Sequence, residues 1–171
     1  MISAACDSRN PHALPASPSA PPDQGQQLTD DDVRALCNRV AEIKVLPMKD
    51  ARGLDATFDA LVDAGVRAVP CLIDKVTDET SMTDPRQAPT YSDTRVGDVA
   101  FFVAARNAKL DYAAVLPPAV TAKFPERGIY AYFEYVEKPK NRKRLQENFR
   151  VWFQQNFSNA APQQSPTGGR P

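Results

Sequence analysis

The sequence predicts an all-α protein, a compact bundle of about six helices between two polar ends. Apolar residues recur three and four positions apart through most of the middle of the chain, as they do along one face of a helix. Glycines and prolines stand where these apolar runs break, as they do at helix boundaries. With 171 residues, of which 42% are hydrophobic, the chain is long enough for one domain with a buried core.

The two ends of the chain differ in composition from its middle. Residues 1–27 are rich in Pro, Ser, Ala and Gln, and residues 159–171 combine Pro and Gly with few apolar side chains. Such segments bury too little apolar surface to offset the entropy lost on ordering. We therefore expect a disordered linker at 1–27, a helical domain at 28–158 and a disordered tail at 159–171.

The first helix is predicted at about residues 30–45. Thr29 can cap its start, and Asp32 stands at the position that completes a capping box. Pro47 limits its far end. Its apolar stripe consists of Val33, Leu36, Cys37, Val40 and Ile43.

A second helix is predicted to end at Gly65, and a third to run from there to about Val76. Gly65 stands where a helix end needs a residue that tolerates positive φ, and Pro70 suits a first helical turn. The second helix carries Leu54, Phe58, Leu61 and Val62, and the third carries Val69, Leu72, Ile73 and Val76.

Residues 58–78 resemble one unit of a HEAT-type helical repeat in its short bacterial form. The similarity lies in the run L-V-x-x-G-x-x-A-V-P-x-L-I-x-x-V, which begins at Leu61 and ends at Val76. The resemblance implies a pair of helices within an all-helical binding scaffold.

Residues 77–95 show no helical period and contain Pro85 and Pro89. An irregular connection of this length is uncommon in a compact domain unless it binds something or is disordered. We therefore predict a functional surface here, with a solvated loop pinned by turns as the alternative. The predicted contact residues are Met82, Arg86 and Tyr91, because these residue types are enriched in interface cores.

The next helix should be the central one, since it is the most apolar segment of the chain. Ser92, Asp93 or Thr94 can cap its start, and adjacent Phe101 and Phe102 indicate burial on more than one face. A turn and a half is expected at 111–116, and a short helix at 118–124.

The aromatic run at 129–136 suits a strand by propensity. Because no second strand is evident to pair with it, a helix at about 126–137 is preferred. Pro139 then opens the last helix, which is expected to end near Asn156. Its apolar face consists of Leu145, Phe149, Trp152, Phe153 and Phe157.

Charge is balanced over the whole chain but not locally. Residues 74–98 hold six acids against three bases, and residues 138–150 hold six bases against Glu147. These segments are expected to be solvated surfaces that face each other. The alternative is a charged docking face that includes Arg142, Lys143 and Arg144.

Cys37 and Cys71 fall on helical apolar stripes, so both are predicted to be buried and unpaired. Cys6 follows two alanines, and residues 2–8 resemble the cleavage region of a truncated bacterial lipoprotein signal. This resemblance implies lipidation at Cys6 and a periplasmic, membrane-anchored protein. An ordinary N-terminus and a cytoplasmic location are the alternative.

Catalytic motifs are missing from the sequence. The single histidine, His12, lies in the linker, and no P-loop, G-x-S-x-G or C-x-x-C pattern occurs. We therefore predict a protein without a cofactor or a metal. No nucleic-acid partner is predicted either, because aromatic residues at helical spacing more often form a core than a stacking surface.

These observations predict a non-enzymatic protein-interaction module that acts as an inhibitor, an immunity protein or an assembly factor. The alternative is a small metal-dependent hydrolase that uses the acids of residues 74–98.

Overall fold

The computed structural model describes residues 28–47, 51–86 and 93–157. This part of the chain is all-α, as predicted, and forms no strand beyond an isolated bridge between Ser81 and Arg95. Eight α-helices occur in it: α1 (Asp30–Asn38), α2 (Ala56–Ala64), α3 (Val69–Lys75), α4 (Val96–Ala108), α5 (Pro118–Thr121), α6 (Phe124–Arg127), α7 (Tyr130–Val136) and α8 (Pro139–Phe157). The predicted linker, the predicted tail, Cys6 and Tyr91 lie outside the described residues.

Helix α1 begins with the predicted capping box. The Thr29 hydroxyl accepts a hydrogen bond from the Asp32 N–H, and the Asp32 carboxylate accepts one from the Thr29 N–H at 2.8 Å. The helix ends at Asn38 and is followed by a 3₁₀ turn, so the prediction of one helix to residue 45 was too long. Val40 and Ile43 are nevertheless buried, because a spacing of three residues also aligns side chains on a 3₁₀ turn.

The junction between α2 and α3 lies at the predicted glycine. Gly65 has a φ of 57°, and a 3₁₀ turn (Gly65–Ala68) leads from it into α3, where Pro70 occupies the first turn. Helix α2 packs against α1 and α4, whereas α3 packs most extensively against α4. The resemblance to a HEAT-type unit stays a prediction.

Helix α4 is the central helix, as predicted. Ten of its 13 residues are buried. The ring of Phe101 stacks on that of Tyr132 with centroids 4.9 Å apart, and meets Phe149 edge to face at 5.8 Å. Helices α4, α7 and α8 therefore share one aromatic core.

Gly97 allows the first turn of α4 to approach the end of α3 closely. A Cβ at this position would lie 2.3 Å from the carbonyl oxygen of Val76 and 2.9 Å from that of Asp78. The Gly97 N–H also donates to the Asp78 carbonyl at 2.9 Å, so the two segments are held at this separation. Only glycine fits here without a shift of the backbone.

The predicted cap of α4 at residues 92–94 was wrong. The helix starts at Val96, and the Asp98 carboxylate accepts the N–H of the N-cap residue, Arg95, at 2.9 Å. The backbone before Val96 is already engaged in the isolated bridge, since Thr94 accepts a hydrogen bond from the Met82 N–H at 3.0 Å. The chain therefore turns into the helix only after the bridge.

The aromatic run forms helix α7 rather than a strand, as preferred from the sequence. The predicted start near residue 126 was wrong, because Gly128, with a φ of 55°, ends α6 and separates it from α7. Tyr132, Phe133 and Val136 are buried on it, in keeping with helical spacing. Helix α8 begins at Pro139 as predicted and continues to Phe157. Within the described ranges, no helix has the length and hydropathy needed to cross a membrane.

The carboxylate of Asp55 caps α2 and also fixes the preceding connection. It accepts the N–H groups of Phe58 at 2.9 Å, Lys44 at 2.8 Å and Val45 at 3.4 Å. Burial acts to raise the pKa of Asp55, but these backbone donors outweigh it and hold the pKa below its ordinary value of 3.8. The ionised carboxylate therefore stabilises the fold.

We expect Asp55→Ala to lower the free energy of unfolding by about 1–2 kcal/mol at neutral pH, through loss of the cap. Because the pKa is lower in the folded state, this contribution is complete above the unfolded pKa. It is lost as the pH falls through the folded pKa. Urea unfolding of both proteins from pH 7 downwards measures the difference, which should shrink at acid pH. The matched control is Asp31→Ala, since Asp31 is an exposed aspartate. A pH-independent difference would contradict the prediction.

Candidate interaction surface

The two charged segments of the chain do face each other, as expected from the sequence. Helix α8 packs against α3. Arg150 and Asp74 form an exposed ion pair at 2.8 Å, and the Gln146 side chain donates to the Ile73 carbonyl at 2.9 Å. Acidic residues thus neutralise part of the basic segment, and the rest remains at the surface.

Arg142 is the exception among the predicted docking residues, because it is buried. Its side chain is 6% exposed, and it makes two hydrogen bonds to the fully buried carboxylate of Asp98, at 2.7 and 3.1 Å. Asp98 also accepts the Tyr132 hydroxyl at 3.0 Å. The expectation that Arg142 contacts a partner is therefore corrected: this residue ties α8 to α4 and α7 inside the domain.

The protonation states of this buried cluster follow from its surroundings. Burial, followed by the negative charge of Asp98, raises the pKa of Tyr132 well above its ordinary value, so the phenol remains a hydrogen-bond donor. Burial acts to lower the pKa of Arg142, but its hydrogen bonds to Asp98 and the charge of that carboxylate raise it overall. The cluster is therefore an ion pair between Arg142 and Asp98, to which the Tyr132 hydroxyl and the Arg95 N–H add two uncharged donors.

Lys143 and Arg144 lie at the surface, as predicted, together with Lys140. These three cations are here called the basic face. They are exposed, whereas other positions of α8, such as Leu145, are buried. Within the described residues, none of the three forms an ion pair with a carboxylate. Lys140 lies in the first turn of α8, where the helix dipole disfavours a positive charge by some tenths of a kcal/mol.

A second surface feature is a cleft of about 250 Å³ that contains Arg86. Here it is called the cleft. Its apolar lining comes from separate segments of the fold and consists of Leu46, Pro47, Phe58, Phe102, Tyr112 and Ile129. Arg106 is its second cation. Met82 packs, partly buried, against the core, so of the predicted contact residues in the described part of the loop only Arg86 lines this cleft.

Arg86 is held in a defined orientation. Its Nε and Nη2 atoms donate to the two oxygens of Asp84 at 2.9 and 2.6 Å, and its guanidinium lies 4.3 Å from the centroid of the Phe133 ring. Burial acts to raise the pKa of Asp84, but Arg86 outweighs it, so the pKa lies below its ordinary value. The carboxylate of Asp84 therefore stays ionised at neutral pH, and the contact between Arg86 and Phe133 holds the loop against α7.

Three of the six acids of residues 74–98 are engaged by arginines. Asp74 pairs with Arg150, Asp84 with Arg86 and Asp98 with Arg142. In the part of the chain that the structure describes, no group of three or more His, Cys, Asp or Glu residues is placed to hold a metal ion.

The structure joins Cys37 of α1 to Cys71 of α3 by a disulfide, with Cα atoms 6.1 Å apart. The expectation that both cysteines are unpaired is therefore corrected. Their position on two apolar stripes was right, since Cys37 is buried and Cys71 is partly buried. Two stripes that pack against each other bring the two sulfurs together, which spacing along the chain does not reveal.

Comparison with known proteins gave no relationship: the chain matches no protein-family model, no curated protein and no solved structure.

Proposed function

We propose that this protein is a non-enzymatic protein-interaction module whose basic face binds an acidic surface on another protein. The observation that carries the proposal is the set of three exposed cations, Lys140, Lys143 and Arg144, at the start of α8. The same helix pairs two of its other arginines with acids of its own chain.

The physical argument is one of unbalanced charge. Like charges repel one another, and the helix dipole adds to the cost at this end of α8. An acidic partner would remove both costs and would steer the encounter, because complementary surface charge mainly raises the association rate and the specificity. Binding through this face should accordingly weaken as salt is added.

We further propose that the protein acts in the bacterial periplasm, on a lipid anchor at Cys6, as an inhibitor, an immunity protein or an assembly factor. The disulfide between Cys37 and Cys71 supports an oxidising compartment, since such bonds rarely persist in the cytosol. The residues around Cys6 supply the resemblance to a lipoprotein signal.

The test is capture of partners by the full chain from lysate of its own cells, at low and high salt, with identification by mass spectrometry and a binding measurement on the purified pair. We expect one stoichiometric protein partner. Reversal of two charges, Lys143→Glu with Arg144→Glu, should weaken its binding by about tenfold or more, mostly through the association rate.

The matched control is Lys44→Glu with Lys123→Glu, which changes the net charge equally at two exposed lysines outside α8. This variant should bind the partner within about twofold of the unaltered protein. A partner that binds both variants equally well, or with no dependence on salt, would show that the basic face is not the docking surface.

A further inference from the structure

The cleft has the size and lining of a small-ligand site, and this inference is independent of the basic face. Its volume is about 250 Å³. An apolar cavity of about 150 Å³ accepts benzene, so this cleft can accommodate a ring with a short side chain. Small-molecule sites are typically concave and apolar with a few fixed polar groups, and the cleft has this composition.

The polar groups of the cleft are cations. Arg86 and Arg106 line it, whereas none of its described lining residues is acidic. The carboxylate of Asp84 neutralises the charge of Arg86. It accepts hydrogen bonds only from Nε and Nη2 of that side chain and none from Nη1. A guanidinium offers a planar fork of donors that matches a carboxylate.

Both guanidinium groups are positioned before any ligand binds. Arg86 lies 4.3 Å from the Phe133 ring centroid, and Arg106 lies 5.1 Å from that of Phe58. The walls are joined as well, since the Leu46 N–H donates to the Pro85 carbonyl at 2.8 Å. A ligand would therefore lose little affinity to ordering of the site.

Tyr112 also belongs to the lining of the cleft. Burial raises the pKa of its phenol, so the hydroxyl remains protonated at neutral pH. Its ring packs against Phe101, with centroids 5.2 Å apart, which holds it in place.

We propose that the cleft binds a small carboxylic acid with an apolar body, with the carboxylate at the two arginines and the apolar body on the ring and aliphatic side chains. A neutral analogue of the same shape should bind less well, since it cannot form charge-assisted hydrogen bonds.

The experiment titrates the full, disulfide-bonded chain with 4-phenylbutyrate and, in parallel, with 4-phenylbutyramide. Isothermal calorimetry measures affinity, and ¹H–¹⁵N correlation spectra locate the site. We expect the acid to bind at least about tenfold more tightly than the amide. In the spectra recorded with the acid, the backbone N–H signals that shift should include those of Leu46, Phe102 and Ile129. No heat and no shift with the acid, or equal affinity for acid and amide, would overturn the proposal.

Variants separate this site from the rest of the surface. Arg106→Gln should lose about tenfold in affinity for the acid and little for the amide. Arg67→Gln is the matched control, because Arg67 is an exposed arginine paired with Asp30, and it should bind as the unaltered protein does. If Arg106→Gln proves unfolded, comparison of the two ligands on the unaltered chain still tests the proposal. The double reversal at Lys143 and Arg144 should leave acid binding unchanged, so failure of the proposed function and failure of this site can be told apart.

Discussion

Replacing Arg142 by methionine is expected to lower the free energy of unfolding by about 3–5 kcal/mol, as measured by urea unfolding. The substitution keeps much of the side chain's volume but removes the cation from Asp98, whose side chain is fully buried. A buried charge without its partner is among the most destabilising changes in a protein core. The Tyr132 hydroxyl and the Arg95 N–H remain as donors to Asp98, but neither carries a charge.

The control for this prediction is the neighbouring arginine on the outside of the same helix. Arg144→Met should change stability by less than about 0.5 kcal/mol, because Arg144 is exposed. The double variant Asp98→Leu with Arg142→Met removes both charges and should recover part of the loss, although the Tyr132 hydroxyl and the Arg95 N–H then lose their acceptor. Together with Asp98→Leu alone, it completes a double-mutant cycle that gives the coupling energy between the two residues. Equal effects of Arg142→Met and Arg144→Met would contradict the buried ion pair.

Loss of the disulfide is the second change with a large expected effect. Cys37 and Cys71 are 34 residues apart, and the entropy of closing a loop of this length corresponds to about 4 kcal/mol in the unfolded chain. We expect the double variant Cys37→Ala with Cys71→Ala to lose stability of this order. Reductant added to the unaltered protein should lower its urea midpoint in the same way.

The sequence holds three cysteines, so the bond can also be counted directly. Alkylation of the unlipidated, denatured protein followed by mass spectrometry should modify one thiol before reduction and three after. Cys6→Ser is the matched control: it should abolish the label obtained before reduction and leave stability within about 0.5 kcal/mol. Three labelled thiols in protein prepared under oxidising conditions would show that the pair is not bonded.

The candidate surface was only partly predictable. Lys143 and Arg144 lie at the surface as expected from the charge run, but Arg142 does not. A signal for its burial was present, since Arg142 stands three residues before Leu145 and seven before Phe149, on the same face of a helix. The charge run predicted that Arg142 lies at the surface, whereas the helical period predicted that it is buried. Periodicity was right because Asp98 neutralises the arginine there.

Arg106 was not singled out from the sequence, and Asp98 and Tyr132 were considered only as members of the acidic segment 74–98 and of the aromatic run 129–136. Asp98 pairs with a residue 44 positions away. The cleft brings together segments as distant as Leu46 and Ile129. Such pairings depend on which helix faces pack together, and periodicity along one helix carries no information about its neighbours.

The all-α class and several helix boundaries follow from the sequence alone. The Thr29 cap, the break at Gly65 and the opening of α8 at Pro139 are examples. These features depend on hydrogen bonds and backbone angles within a few residues, and the side chains that set them are adjacent in the chain. Three other features depend on the tertiary fold: Cys37 bonds to Cys71, Arg142 is buried, and two arginines line one cleft. Each of these features joins residues that are far apart in the sequence. They therefore depend on how distant helices pack against one another, which the local sequence pattern does not reveal.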